Sequence, residues 1–279
     1  MWTRSRLAGA LSLAVLCGAT MGRAQMRYWS GQNVVPVFEG WERNADGTFS
    51  MVFGYYNRNY EETLDLPVGP DNSIEPGGPD QGQPTFFAPA RHKYVFRVKV
   101  PKDWDKTKRL VWTLTIRGRT EKASAFLLPE WESNDQVMMM NAGGGGVNTT
   151  DPNAPPTITV GPSQTIALAQ SASLSAKVTD DGLPKPRPPR ARGAPASKSP
   201  SSPPPSMLRV DWLQYRGPVG GRVTFTPASS PVVDGKASAT ASFSAPGLYV
   251  VRGFANDGAL TTSGDIKVTV TAAATSMHR

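Results

Sequence analysis

Two segments with a strict two-residue apolar period constrain this chain more than any other feature. In His92–Val100, Tyr94, Phe96, Val98 and Val100 alternate with Lys93, Val95, Arg97 and Lys99; in Leu110–Ile116, Leu110, Trp112, Leu114 and Ile116 share one face. Successive strand side chains point to opposite faces, so this period calls for strands with one buried face rather than helices. No stretch of Met26–Trp131 has a convincing 3.6-residue apolar period. Val34–Trp41 is extended, and Pro36 confines it to an edge or a bulge. Asn44-Ala45-Asp46-Gly47 is a hairpin signal leading into the β-branched and aromatic run Thr48–Tyr56. Pro67–Pro89 contains six prolines and reads as a long irregular excursion with at most one short strand. The charged stretch Asp103–Lys108 connects the two alternating strands.

A second set of strands follows Pro155. Thr157–Val160, the alternating Thr165–Val178, Leu208–Tyr215 (Leu208, Val210, Trp212 and Gln214 on one face), Val223–Phe225, Ala237–Phe243, Leu248–Phe254 and Ile266–Val270 have the turn rhythm of an antiparallel sandwich. Between the two sets, Asn141–Thr150 holds the tetraglycine Gly143–Gly146 and no side chains able to build a core, the composition of a flexible linker. Val137–Met140 just before it is expected to be a last strand or a loose tail. The fold class is therefore all-β: two β-sandwich-like domains joined by a Gly-rich linker, after an N-terminal signal peptide. The expected divisions are 1–24 signal peptide, 26–136 first domain, 137–154 linker, 155–272 second domain and 273–279 tail.

The second set resembles a known group. Ser242–Gly258, with Pro246-Gly247-Leu248-Tyr249 and Ala255-Asn256-Asp257-Gly258, is similar to the E–F corner and F strand of bacterial immunoglobulin-like domains of the PKD type. Val178–Pro184 resembles the end of that group's B strand, and Asp211–Pro218 its C strand with the core Trp. The resemblance covers about residues 155–272. It implies an Ig-like sandwich in which Trp212 fills the core, Pro246 and Gly247 make the corner, Tyr249 returns its hydroxyl to nearby backbone, and Asp257-Gly258 turns the chain into its last strand. Fold does not fix function, so the resemblance says almost nothing about a ligand. The main departure from the group is an insertion at 184–206 with nine prolines, expected to be disordered or polyproline-like. The first region is not assigned to a family.

The charge distribution sharpens this. Lys and Arg number 30 against 22 Asp and Glu, a formal excess of +8. Arg4, Arg6 and Arg23 lie in the first 24 residues, and Lys185, Arg187, Arg190, Arg192 and Lys198 lie in the Pro-rich insertion. These eight account for the whole excess, so the remainder is neutral. Arg4 and Arg6, the apolar run Leu7–Thr20 and the small residues Gly22 and Ala24 follow the order of a secretory signal. Export places the chain in the periplasm, on the outer surface or outside the cell. The basic insertion has no interleaved aromatic side chain to stack on bases, which argues against nucleic acid.

One Cys and two His exclude a Cys/His zinc site and an intrachain disulfide, and argue against a His-based triad. Glu61, Glu62 and Asp65 follow the aromatic strand and are the only carboxylates placed for glycan hydrolysis, which needs a pair about 5–10 Å apart. The candidate binding residues are Trp41, Tyr55, Tyr56 and Tyr60 as an aromatic surface, with Arg91, His92 and Lys93 as a local positive patch. No cofactor and no metal is expected. Ca²⁺ needs six to eight oxygens brought together, no Asp spacing matches a known loop, and the Asp180-Asp181 doublet is the best candidate. The expected role is that of an exported, non-catalytic binding or structural protein of the bacterial envelope, contacting a protein or a glycan. The rival is a secreted glycan hydrolase with the Ig-like domain as an accessory.

Overall fold

The computed structural model describes residues 28–141, 152–184 and 208–272. The expected signal peptide, the tetraglycine, the basic insertion from Lys185 onward and the tail from residue 273 lie outside the described residues.

The described residues are all-β apart from two short helical pieces. The N-terminal half contains β1 (Val34–Arg43), β2 (Phe49–Asn57), β3 (Leu64–Asp65), β4 (Asn72–Glu75), β5 (Phe86–Phe87), β6 (Ala90–Val100), β7 (Leu110–Ile116) and β8 (Arg119–Ala125). Strands β1-β2-β6 form one antiparallel sheet and β4-β7-β8 another, with β3-β5 as a small ladder. Strand β1 packs across β7 and β8, so the two sheets close over one core that includes Met51, Phe53, Phe87, Phe96 and Trp112. Pro36 sits on β1, an edge strand, where its missing N–H breaks no ladder. The β1–β2 hairpin turns at Gly47, whose φ is +81°, with Asp46 Oδ1 accepting from Thr48 N at 3.1 Å.

Strand β6 departs from strict alternation. Phe53 lies opposite Phe96, but Tyr55 lies opposite His92, so extra residues bulge out of β6 around Tyr94, whose φ is +53°. Below the bulge Phe96, Val98 and Val100 face the core as expected. Within it Val95 is buried as well, and Tyr94 packs instead on Met138, Met139, Ala259 and Leu260.

The irregular excursion is held by buried amides. Asn72 Nδ2 donates to the carbonyls of Leu66 (2.9 Å) and Pro84 (2.8 Å), and its Oδ1 accepts from Trp112 Nε1 at 3.0 Å. Asn57 Nδ2 likewise donates to the carbonyls of Glu62 (2.8 Å) and Phe87 (3.0 Å). A buried loop must satisfy its backbone polar groups, and side-chain amides do so where no ladder can.

Val137–Met140 is neither strand nor tail; it belongs to helix α1 (Asp135–Asn141). Asn134 caps it, its Oδ1 accepting from Val137 N at 2.9 Å.

The C-terminal half contains β9 (Thr157–Val160), β10 (Gln164–Ala167), β11 (Ala172–Thr179), β12 (Arg209–Arg216), β13 (Val223–Thr226), β14 (Ser229–Pro231), β15 (Lys236–Phe243), β16 (Gly247–Asn256) and β17 (Thr261–Thr271). They form two sheets, β13-β15-β11-β9 and β10-β17-β16-β12-β14. Strand β10 runs parallel to β17, and the other pairs are antiparallel. This is the two-sheet arrangement of an Ig-like sandwich. The inner faces of β11 and β15 are rich in alanine, leaving room in the shared core for Trp212 and Tyr249. Trp212 Nε1 donates to Ser230 Oγ at 3.1 Å, and Tyr249 Oη donates to the Ala245 carbonyl at 2.8 Å, closing a tyrosine corner. Gly247 in that corner has φ +145°, with Pro218 close beside it.

Candidate functional site

Three regions bear on function: the junction between the halves, the exposed aromatic side chains, and the carboxylates expected of a hydrolase.

The halves are joined by a dense polar junction. Strand β12 carries Tyr215 on the face away from the Ig-like core, and its ring is buried in the N-terminal core. Its hydroxyl donates to the Gly82 carbonyl, and its own carbonyl accepts from Thr85 N at 3.2 Å. Burial pushes the Tyr215 phenol up to about 12. The Arg252 guanidinium lies 3.5 Å from the Tyr215 ring centroid, pairs with Asp265 through two hydrogen bonds (2.6 and 2.7 Å), and donates to the Val95 carbonyl at 2.6 Å. Arg216 makes a two-pronged contact to Asp80, both bonds at 2.8 Å, and donates to the Gln83 carbonyl at 2.9 Å. Arg222 pairs with Asp65 at 2.7 Å, and Gly220 N donates to the same carboxylate at 3.0 Å. On a second flank, Met138 and Met139 of α1 pack on Ala259 and Leu260.

Of the candidate binding residues, Tyr56 and Tyr60 face solvent, whereas Trp41 and Tyr55 are in the core. Trp41 donates its indole N–H to the Leu128 carbonyl at 2.7 Å. Tyr55 accepts from Ala88 N at 3.1 Å and stacks on His92 with ring centroids 4.8 Å apart. Strand β2 is buried on both faces over most of its length, so alternation could not separate inward from outward aromatics there. The sequence reading missed Tyr28 and Trp29. Trp29 is 61% exposed and meets Tyr60 edge-on, with centroids 5.2 Å apart. The backbone fixes this pair: Tyr60 N donates to the Tyr28 carbonyl (2.9 Å), and Glu61 N to the Trp29 carbonyl (3.1 Å). Sequence gave little signal for it, because Tyr28 and Trp29 precede the first strand.

Arg91, His92 and Lys93 do not form an open cationic patch. Arg91 turns inward to Glu39 (2.5 Å) and to the carbonyls of Tyr55 (3.2 Å) and His92 (2.7 Å). Burial holds the Glu39 carboxyl above its ordinary range, partly offset by Arg91. His92 faces the Pro89 carbonyl at 2.9 Å, and burial lowers its pKa. Lys93 Nζ donates to the Asn141 carbonyl at 2.6 Å.

The three carboxylates have diverged. Glu62 accepts from Gly31 N at 2.7 Å and pairs with Arg117 at 2.5 Å, Asp65 serves the junction, and Glu61 is exposed. Among the described residues, no three His, Cys, Asp or Glu side chains cluster as a metal site, and no helix is long and apolar enough to cross a membrane.

No known family profile matches the chain, and no curated protein matches it. Solved structures do. The N-terminal eight Ig domains of Down Syndrome Cell Adhesion Molecule match at 10% identity with a TM-score of 0.26, covering 86% of this chain and 27% of that one. Domains 1–6 of surface layer protein SbsC match at 12% identity with a TM-score of 0.28, over 88% of this chain and 28% of that one. The D00-D0 domain of Intimin matches at 12% identity with a TM-score of 0.26, over 85% of this chain and 100% of that one. The chain thus spans little more than a quarter of the first two. At these scores the likeness carries no functional argument.

Proposed function

We propose that this chain is an exported, non-catalytic binding or structural protein of the bacterial envelope, which contacts a protein or a glycan through the N-terminal half. The observation that carries this reading is the aromatic platform of Tyr28, Trp29 and Tyr60, anchored by backbone hydrogen bonds and open to solvent. Aromatic faces held rigid at low entropic cost are what stacking on sugars or packing against a partner requires. The Glu62–Arg117 pair beside it offers polar contacts at its rim. The division into two domains, the signal peptide and the linker belong to the same proposal. The dispersal of Glu61, Glu62 and Asp65 supports binding over hydrolysis, because Glu62 and Asp65 are already committed to arginines.

The test compares the wild-type chain with Trp29→Ala and Tyr60→Ala on a glycan array and in retention by envelope fractions. The expected result is retention by the wild type that falls at least about fivefold in either variant, at about 1–3 kcal/mol per lost aromatic contact. Equal retention of all three proteins, or none for the wild type at low salt, overturns the proposal.

A further inference from the structure

The outer face of the four-stranded sheet of the Ig-like sandwich sets two cations against each other. Strands β11 and β15 alternate between buried and exposed along their whole length, so Ser175 and Lys177 of one and Lys236 and Ser238 of the other point away from the core. The register places Lys177 directly across from Lys236, and Ser175 across from Ser238. Like charges in such a cross-strand pair destabilise a sheet. Neither lysine joins any ion pair among the described residues. Asp180, three residues after Lys177, and Asp234, two before Lys236, are not their partners either.

The pair lies in a groove of about 600 Å³. One wall is the backbone where β9 runs out into Gly161, whose N–H donates to the Ser175 carbonyl at 2.8 Å. A methyl group at 161 would meet Ser175 Oγ, so the missing side chain keeps the space above that hydroxyl open. A second wall is Val233, 63% exposed and apolar. Two backbone hydrogen bonds to Lys236 (2.9 and 3.0 Å) fix it at the base of a two-residue turn, with positive φ at Asp234 and Gly235. The groove also collects idle hydroxyls. Elsewhere on this face Thr157 bonds Thr179, and Ser171 bonds Ser242 at 3.0 Å. The hydroxyls of Thr159, Ser175 and Ser238, within the groove, bond no described residue.

We propose that this groove binds a small anionic saccharide. Its acid group lies between Lys177 and Lys236, its hydroxyls meet Thr159, Ser175 and Ser238, and one ring face rests on Val233. An anion between the two ammonium groups turns their repulsion into a pair of charge-assisted contacts. The serine and threonine hydroxyls both donate and accept, as a sugar's hydroxyls require. The volume falls within the range of small-ligand sites, about 300–1,000 Å³. The acid is a carboxylate or a phosphate, because a lysine ammonium acts on either as a point charge. This site belongs to the Ig-like half, and the platform of Tyr28, Trp29 and Tyr60 to the other.

The test titrates the full chain at low salt with glucuronate, glucose 6-phosphate and glucose, following backbone amides by heteronuclear NMR. Saturable shifts at 159–161, 175–177 and 233–238 are expected with at least one of the two acids, at a dissociation constant of about 1 mM or tighter, and not with glucose. The tighter of the two acids identifies the anion. Lys177→Gln relieves the cross-strand repulsion and should fold, yet weaken binding at least about tenfold, the loss of one hydrogen bond to a charged group. Lys236→Gln should do the same. Trp29→Ala should bind these acids as the wild type does, so that a failure here and a failure of the aromatic platform are told apart. The proposal is overturned if neither acid gives saturable shifts, or if glucose binds as tightly as the acids. It is overturned equally if inorganic phosphate binds as tightly as glucose 6-phosphate, or if both lysine variants keep wild-type affinity. Should a variant misfold, the wild-type titrations decide the matter alone.

Discussion

A methyl group at position 54 would collide with the Glu39 carboxylate, the His92 carbonyl and the Arg91 guanidinium. Gly54 lies where the pairing of β2 with β6 shifts register, and it lets the Arg91–Glu39 pair sit directly against the strand. Gly54→Ala is therefore expected to destabilise the fold by about 1–3 kcal/mol, the usual range for overpacking, read as a lower denaturation midpoint. A midpoint equal to the wild type would mean that the pair can move aside freely. At this scale the sequence was legible where one face is wet. Leu110, Trp112, Leu114 and Ile116 are all buried, as their spacing implies. It was not legible along β2, where both faces are covered and an aromatic residue says nothing about its direction. That is why Tyr55 was grouped with Tyr56, whereas Trp41 lies on β1, where the bulge between Phe38 and Gly40 resets the alternation and turns it inward.

Among the elements, α1 had no sequence signal beyond Asn134. Seven residues are too few to show a helical period, and Val-Met-Met-Met reads equally well as a strand. Its helical state depends on the cap and on a seat some 120 residues further along the chain, which no local pattern contains. Met139→Ala should accordingly cost about 2 kcal/mol or somewhat more, the low end for truncating a buried side chain. The loss should be local: faster hydrogen exchange at 135–141 and 257–260, with β1 and β2 unaffected. Uniform acceleration across the N-terminal half would instead assign α1 to the main core. The bulge in β6 belongs to this scale too. It interrupts an alternation that read cleanly from sequence, and frees Tyr94 to reach the helix.

For the whole molecule, the neutral charge balance outside residues 1–24 and the basic insertion turns out to include the pairs that hold the halves together. Asp80 with Arg216 and Asp65 with Arg222 are 136 and 157 residues apart, so sequence could count these charges but not match them. The double variant Arg216→Ala/Arg222→Ala should split thermal unfolding into two transitions, and in mild denaturant it should enlarge the radius of gyration in small-angle scattering at concentrations that leave the wild type compact. A surface pair contributes at most about 1 kcal/mol, and although Asp65 is largely covered Asp80 is half exposed, which is why both pairs are removed together. Acid should act in the same direction. Arg216, as the main hydrogen-bonding partner, holds the Asp80 carboxyl down at about 2. A depressed acid stabilises the docked state fully above its unfolded value near 3.8, and loses that contribution as pH falls towards 2. Scattering profiles that stay unchanged in the double variant would show that Tyr215 and Arg252 suffice.

The joining of both sides of this junction in a single chain has a consequence of its own. Tethered partners meet at an effective concentration on the order of millimolar, so an interface with an intrinsic dissociation constant of about a micromolar is closed roughly 99.9% of the time. A tenfold weakening, about 1.4 kcal/mol, still leaves it closed about 99% of the time. Separation of the halves is therefore a threshold event. Single substitutions along β12 can accumulate almost silently until one more lets the molecule open.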